Sequence, residues 1–194
     1  MDLLLPQAYL LGLIVLLAGA AVVVGRQILR VRKDERALIR LEEKGKTGSS
    51  SSAELYELGS VQLRKRLYSQ AAANLKLAAK RAEGEPAEAQ AVIQNALGFA
   101  LAAQSNYATA IKHYRSALRS KPNYPVALNN LAYALERQRQ PDEAKSLYEK
   151  VLQLDGANKT ARKRLQSLER KRGVPLAPLG DSEKKPGSPF NTKD

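Results

Sequence analysis

AVIQNALGFALAAQSNYATAIKHYRSALRSKPNY, residues 91–124, runs directly into PVALNNLAYALERQRQPDEAKSLYEKVLQLDGAN, residues 125–158. Both stretches are 34 residues long, and their apolar and small residues fall in register. Leu97 lies on Leu131, Gly98 on Ala132, Leu101 on Leu135, Ala110 on Ala144, Tyr114 on Tyr148 and Ala117 on Val151. A fixed period of this length is the signature of a helix–turn–helix unit repeated in an array. Each unit is two short amphipathic helices that cannot bury their apolar faces alone, so neighbouring units must stack. The fold class expected is therefore all-α, built around this pair.

A more divergent unit precedes the pair. Residues 52–85 place Leu58, Gly59, Ala71, Leu75 and Ala78 at the corresponding positions, and Tyr68 aligns with Tyr107. The offset from Ser52 to Ala91 is 39 residues, five more than the period, so the second unit should open with a longer helix. That helix is expected to start near Pro86, a residue tolerated in a first turn because its missing N–H is unpaired there anyway. Three units over 53–158 give six helices, near 53–66, 69–82, 86–104, 107–120, 125–138 and 141–154. Gly98, like Ala132 after it, should sit where the two helices of one unit touch. Ala71, Ala110 and Ala144 are the reciprocal small residues, and Tyr114 and Tyr148 fill space between units.

These residues resemble the tetratricopeptide repeat. The second unit carries the pattern as Gly98, Ala110, Tyr114, Ala117 and Pro122, whereas the first has Glu83 and the third Gly156 at the proline position. The resemblance covers residues 52–158. It implies a solenoid whose first helices line a concave groove. The inward positions would be Ala53, Tyr56, Ser60, Leu63 and Arg64; then Val92, Asn95, Phe99, Ala102 and Ala103; then Val126, Asn129, Tyr133, Glu136 and Arg137. The implied protein-binding groove is thus apolar at Phe99 and Tyr133 and edged by Asn95, Asn129 and Arg137. Asparagine amides can hydrogen-bond a ligand backbone, and aromatics can anchor an apolar side chain or helix. The family's chaperone-tail receptors hold a terminal carboxylate with a lysine and asparagine clamp. Tyr56 and Ser60 stand where its first-unit members would be, which disfavours that ligand.

Composition narrows the chemistry. There is no cysteine and only one histidine, His113, so disulfides, thiolate metal sites and multi-histidine sites are excluded. His113 has no acidic or nucleophilic residue at helical spacing, and no glycine-rich phosphate loop or metal-ligand spacing appears. We expect no enzyme activity, no cofactor and no small-molecule substrate. The formal charge of +13 is uneven, with +4 over residues 26–46 and +6 over residues 159–172. Positive charge flanks the repeats instead of coating them. This favours an anionic surface near the two ends over a nucleic-acid groove through the middle.

Residues 3–25 contain no charge. As a helix they would span about 34 Å, against roughly 30 Å for a bilayer core. A single transmembrane anchor over 1–25 is expected. A cleaved signal peptide would need a basic segment ahead of the apolar run, yet only Asp2 and the amino terminus precede it. Arg26, Arg30, Arg32 and Lys33 crowd the far end, which places the rest of the chain on the cytoplasmic side. Residues 26–52 read as a basic helical neck, able to contact anionic lipid, ending in a flexible GKTGSSSS tether that separates anchor from repeats.

After the repeats, residues 159–172 place Ala161, Leu165 and Leu168 on one narrow stripe, with basic residues elsewhere. A repeat array needs a terminal cap with a polar outer face. Arg162, Lys163, Arg164, Arg170, Lys171 and Arg172 are either that solvated face or a docking surface for acidic protein, RNA or lipid. Residues 173–194, rich in Pro, Gly, Ser and Lys, read as a disordered tail.

The anchor, the neck reading VGRQILRVRK, three repeats and a basic cap together resemble the membrane-anchored tetratricopeptide photosystem I assembly factors of cyanobacteria and plastids, over residues 1–172. That resemblance implies a single-pass thylakoid scaffold whose partners are photosystem I subunits or other assembly factors. Two alternatives stand beside it. One is an organellar import receptor gripping amphipathic targeting helices. The other is a basic RNA- or lipid-binding adaptor, with nucleic acid the less favoured ligand.

Overall fold

A computed structural model describes residues 4–46 and 50–171, and every regular element among them is an α-helix. In chain order these are α1 (Leu4–Lys46), α2 (Ser52–Arg64), α3 (Tyr68–Arg81), α4 (Ala87–Ala103), α5 (Tyr107–Ser120), α6 (Pro125–Arg137), α7 (Pro141–Leu154) and α8 (Lys159–Lys171). The helices expected from periodicity differ from α2–α7 by a few residues at their ends. Pro86 stands at the N-cap position of α4, one residue ahead of the first turn in which it was expected. At 17 residues, α4 is longer than the 13-residue α2 and α6, which accommodates most of the extra length between the first two units. The expected tail lies outside the described residues, as do residues 47–49.

Local chemistry sets the boundaries. Ser51 caps α2 by accepting from the Glu54 amide at 3.2 Å, and its own amide donates to Glu54 Oε2 at 3.0 Å, a reciprocal capping box. The side chain of Asn106 caps α5, that of Asn158 caps α8, and Pro125 and Pro141 open α6 and α7. Each first helix ends the same way. Arg66, Ser105 and Arg139 adopt positive φ of 58–62°, and the amide that follows each one bonds back to a carbonyl five residues earlier. That is a Schellman turn, which satisfies carbonyls the helix leaves orphaned. None of the three is glycine, so the packing on either side holds a backbone that side chains disfavour.

Between the helices the seams are tight. A Cβ on Gly59 would lie 2.6 Å from Leu75 Cγ, and one on Gly98 would lie 2.7 Å from Tyr114 Cε1. Only glycine lets α2 approach α3, and α4 approach α5, at this distance. Tyr114 and Tyr148 are fully buried, as are Leu75, Leu128 and Leu135. At the C-terminal end α8 lays Ala161, Leu165 and Leu168 into the same core as Tyr148 and Val151. Full burial of a leucine stabilises by roughly 1.5–3 kcal/mol, so α8 closes the array as a working part of the core.

At the other end α1 departs from expectation. The neck packs against the first repeat. Helix α1 continues to Lys46, and beyond residues 47–49 the buried Ser50 gives its carbonyl to the Arg81 guanidinium. The neck lies antiparallel against α2. Asp34 pairs with Arg64 at 2.7 Å, Glu35 with Lys65 at 3.7 Å and Arg40 with Glu57 at 3.5 Å, while Leu41 is buried. One helix among the described residues, α1, is long and apolar enough to cross a membrane by length and composition.

Candidate functional site

The first helices α2, α4 and α6 carry the residues expected to line the groove, and the structure sorts them into two halves. In the half nearer the N-terminus, Ala53 and Tyr56 of α2 face Ala89, Val92 and Ile93 of α4 across an open apolar pocket of about 350 Å³. Glu85 and Glu88 form its rim, and Ser52 Oγ donates to Glu85 Oε1 at 2.6 Å. Next along, Phe99 and Val126 are 44% and 52% exposed, so their apolar surfaces meet solvent. Leu63 is half-buried, packed with Leu75 and Leu97 beneath the groove, and Ala103 is exposed at the end of α4.

The half nearer the C-terminus is occupied by the chain itself. Tyr133 meets the edge of Tyr107 with ring centroids 6.4 Å apart. The Arg164 guanidinium of α8 lies 4.7 Å from the Tyr133 ring, and that of Arg137 lies 5.2 Å from the Tyr107 ring. Arg164 also reaches Glu136 at 3.9 Å, and Glu136 Oε1 accepts from the buried Tyr148 hydroxyl at 2.6 Å. Burial, and then the Glu136 carboxylate it donates to, push the Tyr148 phenol well above its usual range. Tyr133 and Arg137 are therefore engaged with one another's neighbours instead of lying free.

The asparagines are also committed. Asn95 is only 9% exposed, and its Oδ1 accepts from Asn130 Nδ2 at 2.9 Å. Tyr124, beside Tyr56 and Asn95, has its phenol raised mainly by burial. Asn129 Nδ2 donates to Asn158 Oδ1 at 3.3 Å, while Asn129 Oδ1 is buried without a hydrogen-bond partner among the described residues. A buried acceptor left so is costly. His113 is half-buried with Nδ1 2.8 Å from Gln94 Oε1. Burial, and secondarily Lys76, hold its imidazole below the ordinary range. Among the described residues no three His, Cys, Asp or Glu side chains come together in a way that could hold a metal ion.

The basic residues separate as well. Arg26, Arg30, Arg32 and Lys33 are exposed along α1. On α8, Arg162, Lys163 and Arg170 are exposed, with Arg162 donating to the Gly156 carbonyl at 2.6 Å, whereas Arg164 turns into the groove. The Lys171 side chain and Arg172 lie outside the described residues. Residue register alone did not single out Tyr107, Tyr124, Asn130, Glu85 and Glu88. Tyr107 carried one signal, its alignment with Tyr68 at the start of the preceding second helix.

Tetratricopeptide-repeat family models match residues 56–125 and 101–168. An uncharacterized protein ycf37 of Guillardia theta is 32% identical over 168 residues, covering 87% of this chain and 94% of that protein. The chloroplastic tetratricopeptide repeat domain-containing protein PYG7 of Arabidopsis thaliana is 33% identical over 168 residues, and the matched part is 56% of its length. Among solved structures, the first repeat domain of Spaghetti (RPAP3), bound to an HSP90 peptide, superposes with a TM-score of 0.58 at 21% identity, covering 64% of this chain and 94% of that one.

Proposed function

This chain belongs to the tetratricopeptide-repeat family and, within it, to the ycf37 proteins, and from that premise we propose that it is a membrane-anchored scaffold without enzymatic activity that assists assembly or stability of photosystem I. Helix α1 holds it in the thylakoid membrane, with the repeats on the cytoplasmic or stromal face set by the arginines after residue 25. Partners are photosystem I subunits or other assembly factors. They bind in the open half of the groove, on Tyr56, Val92, Phe99 and Val126. The observation that carries this reading is an open apolar pocket at Tyr56 and Val92 with Phe99 exposed two turns further along α4, in a structure whose described residues include one membrane-length helix. Exposed aromatics in a concave site are the usual anchors of protein ligands. The photosystem assignment itself rests on the family and on the anchor, neck and repeat layout.

A second reading draws on Glu85 and Glu88. An apolar pocket rimmed by carboxylates suits a basic amphipathic helix, the ligand of an organellar import receptor. A pulldown with the full chain from solubilised thylakoid membranes separates the two. Photosystem I subunits in the eluate are expected, and their absence together with capture of presequence peptides would transfer the role to import.

A further inference from the structure

The neck sorts its charges by face. Asp34 and Glu35 turn to Arg64 and Lys65 of α2. On another arc of α1, Arg32, Lys33, Arg36 and Arg40 line a cleft of about 390 Å³ against α2, with Leu29 at its base and Glu57 across from Arg40. Among the described residues Glu57 is the one carboxylate lining this cleft, and Arg40 already binds it at 3.5 Å. Arg32, Lys33 and Arg36 have no ion-pair partner among the described residues. Three cations converge on a space with no anion left to meet them.

The depth of the cleft fits a lipid headgroup. The uncharged run ends at Gly25, so Leu29 and Arg32 lie about 6 and 10 Å further along the helix, and Arg36 about 16 Å. A headgroup layer is about 5–7 Å thick on each side of the hydrocarbon core. Helical side chains lean towards the N-terminus, which here is the membrane end, and long basic side chains extend to the interface. Arg32 and Lys33 therefore reach back to headgroup depth, and Arg36 stands at its outer edge. The Arg40–Glu57 pair closes the cleft on the side away from the bilayer.

We propose that this cleft between α1 and α2 binds one anionic lipid, its phosphate or sulfonate held by Arg32, Lys33 and Arg36 and its glycerol region against Leu29. The site would brace the first repeat at a set angle to the membrane, because Glu57 of α2 borders the same cleft and is held there by Arg40. This rests on the reading of residues 3–25 as a membrane span, not on the identity of the groove's partner.

The test uses the full chain in nanodiscs of phosphatidylcholine containing phosphatidylglycerol, with lipid retained after extraction counted by native mass spectrometry. Wild type should retain phosphatidylglycerol over phosphatidylcholine by about tenfold or more, since each basic residue near an anionic surface favours it severalfold. Arg32→Gln with Lys33→Gln and Arg36→Gln should abolish that preference. Arg26→Gln with Arg30→Gln, on the same flank but outside the cleft, should keep it within about twofold, because lipid retained through extraction reports the bound site and not general attraction to the bilayer surface. Circular dichroism confirms that each variant is folded. Equal loss in both variants would mean diffuse charge and overturn the site. Displacement of the lipid by inorganic phosphate would make it a free-anion site and overturn the lipid assignment. A chain that fails to enter nanodiscs overturns this proposal and the membrane anchor together. Lipid selectivity lost with partner capture intact would leave the scaffold reading standing.

Discussion

The two halves of one groove, built from repeats of the same pattern, end in opposite states. In the N-terminal half, Tyr56 and Val92 border an open apolar pocket. In the C-terminal half, Tyr133 meets Tyr107 edge-on and is covered by Arg164 of the capping helix. The difference comes from what lies beyond each unit. The last repeat borders α8, whose Arg164 has a ring and the carboxylate of Glu136 to turn to. The first repeat borders the neck, which pairs with Arg64, Lys65 and Glu57 and leaves Tyr56 alone. An inward position in a repeat is thus a potential contact, and its neighbours decide whether it is still available.

The largest expected effect comes from breaking the seam shared by both halves. Gly98→Val puts carbon where the Tyr114 ring already lies 2.7 Å away, and neither α4 nor α5 can retreat without opening the core. A loss of about 3 kcal/mol is expected on thermal or urea unfolding, together with loss of partner capture. An unchanged melting temperature would refute the close approach.

Within the closed half, Tyr148→Phe removes the hydroxyl that donates to Glu136 at 2.6 Å. The cost should be about 1–2 kcal/mol, because the acceptor is a charged and largely buried carboxylate. Arg164→Gln should cost less, about 0.5–1 kcal/mol, while uncovering Tyr133. If the closed half is blocked only by this stacking, Arg164→Gln will raise partner capture. If capture falls, Arg164 is itself a contact, and the contrast between the halves weakens.

The smallest effect is on the convex side. The His113 imidazole is held below its ordinary pKa, so its folded form prefers to be neutral. Its contribution is present above the unfolded value of about 6.5 and is lost as pH falls towards the depressed folded value. Wild type should therefore lose more stability between pH 7.5 and 5 than His113→Gln, by a margin below those of the groove substitutions. Equal losses would show that His113 is not the group responsible.

How much of this was legible in the sequence varies by level. The 34-residue period and the small residues at Gly98, Ala110 and Ala144 made the helices and their seams readable, because local amphipathicity and close packing both write themselves into spacing. Register also marks which residues of α2, α4 and α6 belong to one face. What it could not convey was occupancy. Asn95 is bonded to Asn130, Arg64 to Asp34 and Tyr133 to Arg164, each partner 30 or more residues away in the chain. Charge pairs of this kind leave no periodic trace. The neck was unreadable for the same reason. Its carboxylates Asp34 and Glu35 pair with Arg64 and Lys65 across the seam between α1 and α2.

The central claim is that the open half of the groove carries the partner. It is tested most directly by quantifying photosystem I components captured from solubilised thylakoid membranes by wild type, by Tyr56→Ala with Val92→Ala, and by Tyr133→Ala. The account predicts that the open-half variant loses about tenfold of the capture, as removal of anchor side chains commonly does, while Tyr133→Ala stays within about twofold of wild type. Undiminished capture by the open-half variant, with the loss falling on Tyr133→Ala instead, would contradict it.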